Sequence, residues 1–260
     1  MPFDDVAGLR FFRFGLLTRQ RVVHAILTRR GGTSPEPWAS LNVGATVGDD
    51  LGRVRDNRRM ALRSLGRSPE SVFDVWQVHS ADVILAEAPR GEAPPQKADA
   101  ILTDRPDVTL MMRFADCVPI LLHDPARHVV GIVHAGWLGT VRQVLRRAIE
   151  QMQEGYGCRP ADICAGIGPS IASHHYPVGP EVVAAFREAF GPASETHLAT
   201  QDDGTHLDLW SANQALLRDS GVGQIEVAGL CSACDTQDWY SHRAERGRTG
   251  RFGALIALEP

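Results

Sequence analysis

Two short apolar runs, residues 118–122 and 129–133, joined by the polar turn His123-Asp124-Pro125, constrain this chain more than any other stretch. Runs of this length, rich in Val, Ile and Leu and bounded by turn residues, read as strands buried on both faces. In an antiparallel pair the start of one strand lies beside the end of the next. Cys117 stands just before the first run and His134 just after the second, so the hairpin carries a thiol and an imidazole to one sheet edge. Gly136 and Gly139 follow, where the backbone turns sharply or approaches a ligand closely, and Thr140 reads as the cap of a helix beginning at Val141.

The remaining chain supplies strands and helices in irregular alternation. Residues 22–27 read as a strand closed by Gly31-Gly32, with residues 9–17 as its hairpin neighbour. A long connection over residues 34–48 carries Ser40 and Asn42, and loops of this length are often functional. Asp49 or Asp50 caps a helix that runs to about residue 65 and stops at Gly66. Further strands are expected at residues 72–76, 83–86, 108–112, 163–167, 225–228 and 254–258. Helices are expected from Val141 to a stop at Gly155, between Pro180 and Gly191, and after Asp208. This pattern predicts an α+β architecture in which residues 1–260 form a single domain of mixed β-sheets packed together, with helices on the outside.

The composition supports a sizeable core, with 43% hydrophobic residues in 260. A net charge of -4 provides no basic field for nucleic acid, and no apolar run approaches the ~18 residues of a membrane span. Asp4 and Asp5 stand where a signal peptide would carry positive charge, so the expected compartment is the cytoplasm. Five cysteines without regular spacing argue for reduced thiols over a disulfide framework. Lys97 is the only lysine, so an anion in any site must be met by Arg, His or backbone.

His79, Cys117 and His134 all fall at expected strand ends, and imidazole and thiolate are preferred zinc donors. Three such ligands leave a fourth position open. Cys117 with His134 equally suits a thiolate nucleophile and its base, oriented by Asp116 or Asn42. A small apolar cysteine at a strand start is the third reading. Arg58 lies on the inward face of its helix, either as a buried ion-pair partner or as the wall of a ligand pocket. The motif Cys231-Ser232-Ala233-Cys234 has no second CxxC or CxxH after it, which favours a structural role. His174, His175, His206, His123 and His128 read as solvated loop histidines.

Several short motifs, in order, resemble those of the YfiH-type laccase-domain family. They are residues 28–34 (TRRGGTS), Ser40-Leu41-Asn42, Asp56-Asn57-Arg58, Gln77-Val78-His79, residues 115–119 (ADCVP), His134-Ala135-Gly136-Trp137, Ile167-Gly168-Pro169 and Tyr240-Ser241-His242-Arg243. The resemblance spans nearly the whole chain. It implies a YfiH-like, cysteine-hydrolase-like fold and a zinc held by His79, Cys117 and His134. It also implies phosphorolysis of adenosine, inosine and methylthioadenosine to base and sugar 1-phosphate, with adenosine deamination as a second activity. Alternatives within the family are copper-dependent polyphenol oxidation and a cysteine hydrolase acting on an amide such as a peptidoglycan precursor. On this basis Cys117, Asp116 and Arg58 are the expected catalytic groups, and Ser40, Asn42, Arg58, Gln77 and Arg243 the expected substrate contacts. The expected partners are a nucleoside and phosphate, bound by a monomer. The chain departs from the family at Leu138, where an arginine is usual, and at Pro177, where a glutamate is usual.

Overall fold

The two apolar runs form the centre of a six-stranded sheet in the computed structural model, which describes residues 2–259. One sheet runs in the order β1 (Phe3–Val6), β2 (Leu9–Phe12), β3 (Val22–Leu27), β15 (Phe252–Leu258), β7 (Thr109–Phe114) and β4 (Val72–Phe73). The other runs β14 (Gln224–Val227), β10 (Cys164–Ile167), β8 (Val118–Asp124), β9 (Val129–Ala135), β6 (Ala100–Thr103) and β5 (Val83–Leu85). Both are mixed: the pairs β4 with β7, β10 with β14 and β5 with β6 are parallel, and the remaining neighbours are antiparallel. A third, small sheet of β11 (Pro177–Val178), β13 (Gly204–Leu207) and β12 (Leu198–Gln201) stands apart in the order.

The two large sheets pack face to face, which explains why the central strands lack alternation. On β8, Leu121 points into the cluster between the sheets with Ile26, Leu110, Phe114 and Ile256, whereas Ile120 and Leu122 point to the helices. Every residue of β8 and β9 is buried. A strand covered on both faces has no position at which water rewards a polar side chain. Helices α4 (Val144–Tyr156) and α6 (Leu209–Asp219) cover the outer face of the second sheet, where Leu145, Ala148, Ile149 and Met152 meet Leu216 and Leu217. Helix α5 (Pro180–Phe190) adds Val182 and Phe186 to the same cluster. Helix α2 (Leu51–Ser64) covers the opposite side, placing Ala61 and Leu62 against Leu27, Met111 and Leu255. No helix among the described residues is long and apolar enough to cross a membrane.

Three local expectations change. The strand expected over residues 9–17 ends at Phe12, and the short helix α1 (Gly15–Arg19) follows it. Burying the free N–H groups at this turn requires acceptors. His24 Nε2 takes the Phe14 N–H at 3.0 Å, and the Glu226 carboxylate takes those of Gly15 and Leu16 at 3.1 and 2.6 Å. The helix expected from Val141 is two: α3 (Trp137–Val141) and α4, broken at Gln143, whose φ is 60°. It ends at Gly157 instead of Gly155, because Gly157 adopts the left-handed conformation (φ 66°), its N–H returning to the Gln153 carbonyl and the Cys158 N–H to that of Met152. The strand expected over residues 72–76 keeps only Val72 and Phe73 in its ladder. The caps Asp50 and Asp208 act as expected, each accepting an N–H three residues on, from Arg53 and Ser211.

Candidate metal centre

The hairpin register sets the first two candidate ligands side by side. Pro119 pairs with His134 and Val118 with Ala135, so Cys117, at the head of β8, meets the end of β9. The third ligand arrives on a loop that needs outside support. Gln77 clasps the main chain of β7, accepting the Arg113 N–H at 3.0 Å and donating to its carbonyl at 2.8 Å. The loop then turns through His79 with φ 58°, in the left-handed region that non-glycine residues rarely occupy. Asp99 holds this turn: its Oδ2 accepts the N–H groups of Val78 (3.1 Å) and Ser80 (2.6 Å) and the Ser80 hydroxyl. Arg142 closes the other side by donating to the His79 carbonyl at 2.7 Å.

The other oxygen of Asp99 serves His134. Its Oδ1 lies 2.8 Å from Nδ1, and its carbonyl takes the His134 N–H at 2.8 Å. A carboxylate on Nδ1–H fixes the tautomer and leaves Nε2 free to bind a metal. One buried carboxylate therefore orients both histidines. In the sequence Asp99 is marked only as a lone acid between Ala98 and Ala100 at the mouth of a buried strand, and no motif singles it out.

His79 Nε2 is 3.8 Å from Cys117 Sγ, and the ligand atoms of His79, Cys117 and His134 lie within 4.8 Å of one another. Burial pushes the Cys117 thiol up, but the facing imidazole of His134 and the bond to His79 more than offset this and bring it to about 6. Burial likewise disfavours the charged His134, but the Cys117 charge and the Asp99 bond raise it to about 9. Asp99 is raised by burial and pulled down to about 2 by His134 and the two N–H groups. Both shifts run toward a thiolate facing a protonated imidazole. A cation replaces the second imidazole proton and keeps the thiolate, so the donor set fits zinc. Gly136 has no room for a side chain: a Cβ there would stand 2.7 Å from Cys117 Sγ and 3.2 Å from His79 Cδ2.

The triad forms one wall of a cavity of about 380 Å³. Arg58, Arg90, Arg113 and Arg251 line it, with Asp74 and the half-exposed Trp76. Asp74 gathers three of these guanidiniums, at 3.5 Å from Arg58, 2.6 Å from Arg90 and 2.9 Å from Arg113. Burial would raise its carboxyl, and the three arginines hold it below its ordinary range. Burial and the neighbouring Arg113 push Arg58 down to about 10 against the pull of Asp74, so it stays charged at neutral pH. Four guanidiniums face one carboxylate, an excess of positive charge suited to an anion.

Of the expected site residues, His79, Cys117, His134, Arg58 and Gln77 share this cavity, and Ser40, Asn42, Asp116 and Arg243 do not line it. The Ser40 hydroxyl is spent inside its own loop, on the Gly32 N–H and the Arg29 carbonyl. Asn42 is fully buried and holds Asp49, Gly44 and the Arg251 N–H, so it reaches the cavity only indirectly, through the lining residues Gly44 and Arg251. Both oxygens of Asp116 are occupied, one by the Ser232 hydroxyl and one by the Arg243 N–H, each at 2.7 Å. It positions the loop before Cys117. The Arg243 guanidinium donates to the Pro177 carbonyl and lies 5.0 Å from the centroid of the Tyr176 ring. His123, His128 and His206 stay outside the site; only His128 is the solvated loop histidine expected, since His123 on β8 and His206 on β13 are buried, and the exposed His174 and His175 converge on the CxxC motif.

The model for multi-copper polyphenol oxidoreductase laccase matches residues 23–259. A purine nucleoside phosphorylase of Deinococcus radiodurans is 41% identical over 237 residues, covering 91% of this chain and 89% of its own length. Purine nucleoside phosphorylase YlmD of Bacillus subtilis is 35% identical, covering 92% and 90%. The crystal structure of YlmD from Geobacillus stearothermophilus superposes with a TM-score of 0.93 at 34% identity, covering 100% of this chain and 99% of that one. The structure of Bacillus licheniformis YfiH gives 0.91 at 32%, covering 99% of each. Sequence and fold agree over the full length, and the chain belongs to the multi-copper polyphenol oxidoreductase laccase family, the group that includes YfiH and YlmD.

Proposed function

We propose that this chain is a zinc-dependent purine nucleoside phosphorylase, acting on adenosine, inosine and methylthioadenosine, with adenosine deamination as a second activity. The observation that carries this reading is that an open three-ligand centre and four arginines line the same cavity. The relatives' names agree with it. In phosphorolysis a phosphate oxygen bonds to C1′ of the ribose while the C1′–N bond breaks, and the leaving purine keeps the electron pair and takes a proton. Arg58, Arg113 and Arg90, fanned around Asp74, are suited to hold the phosphate, and Arg251 adds a fourth charge. This group supplies the cation that Leu138 does not. The exposed face of Trp76 offers a stacking surface for a purine at the mouth. Zinc held by His79, Cys117 and His134 would supply a Lewis acid on the cavity wall. Asp99 keeps His134 in the ligating tautomer throughout. Copper oxidase chemistry is disfavoured by ligand count, since a multicopper site gathers more histidines than either cluster among the described residues.

The test is incubation of zinc-loaded protein with each nucleoside, with and without phosphate. The sugar 1-phosphate (ribose 1-phosphate, or 5-methylthioribose 1-phosphate from methylthioadenosine) and free base appearing only with phosphate are expected, together with inosine from adenosine. No product from any of the three nucleosides would overturn the reading. Arg58→Gln is expected to raise the KM for phosphate about tenfold or more, as loss of a charge-assisted contact does.

A further inference from the structure

We propose that His174, His175, Cys231 and Cys234 form a second zinc site, closed and structural, which braces the loop that presents Cys117. The ligand atoms of these four residues lie within 4.8 Å of one another. His175 Nδ1 is 3.6 Å from Cys231 Sγ and 3.5 Å from Cys234 Sγ, and His174 Nε2 is 3.1 Å from Cys234 Sγ. A tetrahedral zinc with Zn–S of ~2.3 Å and Zn–N of ~2.05 Å has sulfur–nitrogen edges of about 3.5 Å. The two imidazoles find no other side-chain or backbone partner among the described residues, and the Ala172 N–H donates to Cys231 Sγ at 3.3 Å, the kind of contact that supports a thiolate. Four donors of two soft and two borderline types fill a tetrahedron and leave no open position, unlike the triad in the cavity.

The two segments are already stapled together by backbone. Ser170 and Cys231 form a parallel bridge, with the Ser170 N–H on the Leu230 carbonyl and the Ser232 N–H on the Ser170 carbonyl. Zinc would close this staple at its exposed end. The consequence for the cavity runs through Ser232, inside the CxxC, whose hydroxyl donates to Asp116. Ile171, two residues before Ser173, donates its N–H to the Asp116 carbonyl at 3.0 Å. Asp116 is held at φ 79° and its neighbour is Cys117. Both arms of the second cluster therefore end on Asp116, the residue that precedes and aims Cys117.

The test loads metal-free, reduced full-length protein with zinc or with cobalt(II), whose visible bands report tetrahedral thiolate coordination. The variants are Cys117→Ala, Cys234→Ser, His174→Ala and the double variant Cys117→Ala/Cys234→Ser. His174 and Cys234 are exposed, so their substitution leaves the core intact. About two zinc ions per wild-type chain are expected, one in each single cysteine variant and none in the double variant. Cobalt-loaded Cys117→Ala is expected to retain thiolate bands that the double variant lacks. A Cys117→Ala protein that takes up no metal would overturn the proposal, and so would a Cys231–Cys234 disulfide that persists under reductant. Both readouts are independent of nucleoside turnover, so a failed function and a failed second site are told apart.

Discussion

Asp99 is the residue on which the centre turns, because its two oxygens govern His134 and the His79 loop at once. Asp99→Asn keeps the shape but loses the charge, and the amide nitrogen replaces an acceptor beside the N–H groups of Val78 and Ser80. Zinc affinity at the triad is expected to fall roughly 10–100-fold, as for other outer partners of metal-bound histidines, measured by chelator competition in a Cys234→Ser background. An Asp99→Asn protein with unchanged affinity would remove Asp99 from the site. Gly136 matters through space alone, since its φ of -76° suits any residue. Gly136→Ala puts a methyl group 2.7 Å from Cys117 Sγ, so the thiol or the His79 ring must move. The expected outcome is loss of zinc at the triad with unaltered circular dichroism; retention of full metal content would show that the loop gives way cheaply.

The element with the largest gap between expectation and role is the connection over residues 34–48. The Ser34 hydroxyl and the backbone carbonyls of Ser40 and Asn42 converge on a single amide, Asn57 of α2, which donates to all three and accepts the Thr33 N–H. Arg58, next in sequence, is thereby aimed at the cavity. Asn57→Ala leaves several buried groups unpaired and is expected to cost roughly 2–4 kcal/mol, because each orphaned group carries its full desolvation penalty. Asp208→Ala, which removes only the cap of α6, is expected to cost about 1 kcal/mol. Urea unfolding of the two variants side by side checks the order, and an Asn57→Ala variant less damaged than Asp208→Ala would refute the hub.

At the level of the whole molecule, stability is expected to fall in mild acid. His24 is fully buried, with Nε2 accepting the Phe14 N–H and Nδ1–H directed at the Val22 carbonyl, so only the neutral ring fits. Burial lowers its pKa from 6.5 to about 4, and burial likewise takes His123 to about 4. The unfolded chain therefore binds protons first as pH falls. This stabilisation is complete above pH 6.5, declines below it, and is exhausted near pH 4, on the order of 3 kcal/mol for His24. Urea midpoints across that range should show the slope, and His24→Gln should flatten it while lowering the plateau; an unchanged slope would refute the assignment. Metal removal acts differently. The triad sits on the edge of a core filled by β8, β9 and both large sheets, so chelation is expected to lower the melting temperature by mass action while the far-ultraviolet spectrum persists.

The hairpin of β8 and β9, the caps Asp50 and Asp208 and the strand β3 are legible in the sequence because each depends on neighbours within a few residues: an apolar run, a turn, a carboxylate before a helix. The triad was legible as three donors at expected strand ends, two of them joined by the geometry of that hairpin, and the family resemblance implied one metal for all three. Asp99, the Asp74 arginine fan and the closure of His174 and His175 on Cys231 and Cys234 were decided only in three dimensions. Each joins groups far apart in the chain, and the CxxC looked incomplete because its partners lie upstream, 56 residues away between His175 and Cys231. Local sequence registers what a residue prefers; which distant charge or thiol it meets depends on how the two sheets stack, and that is set by the summed burial of the core between them.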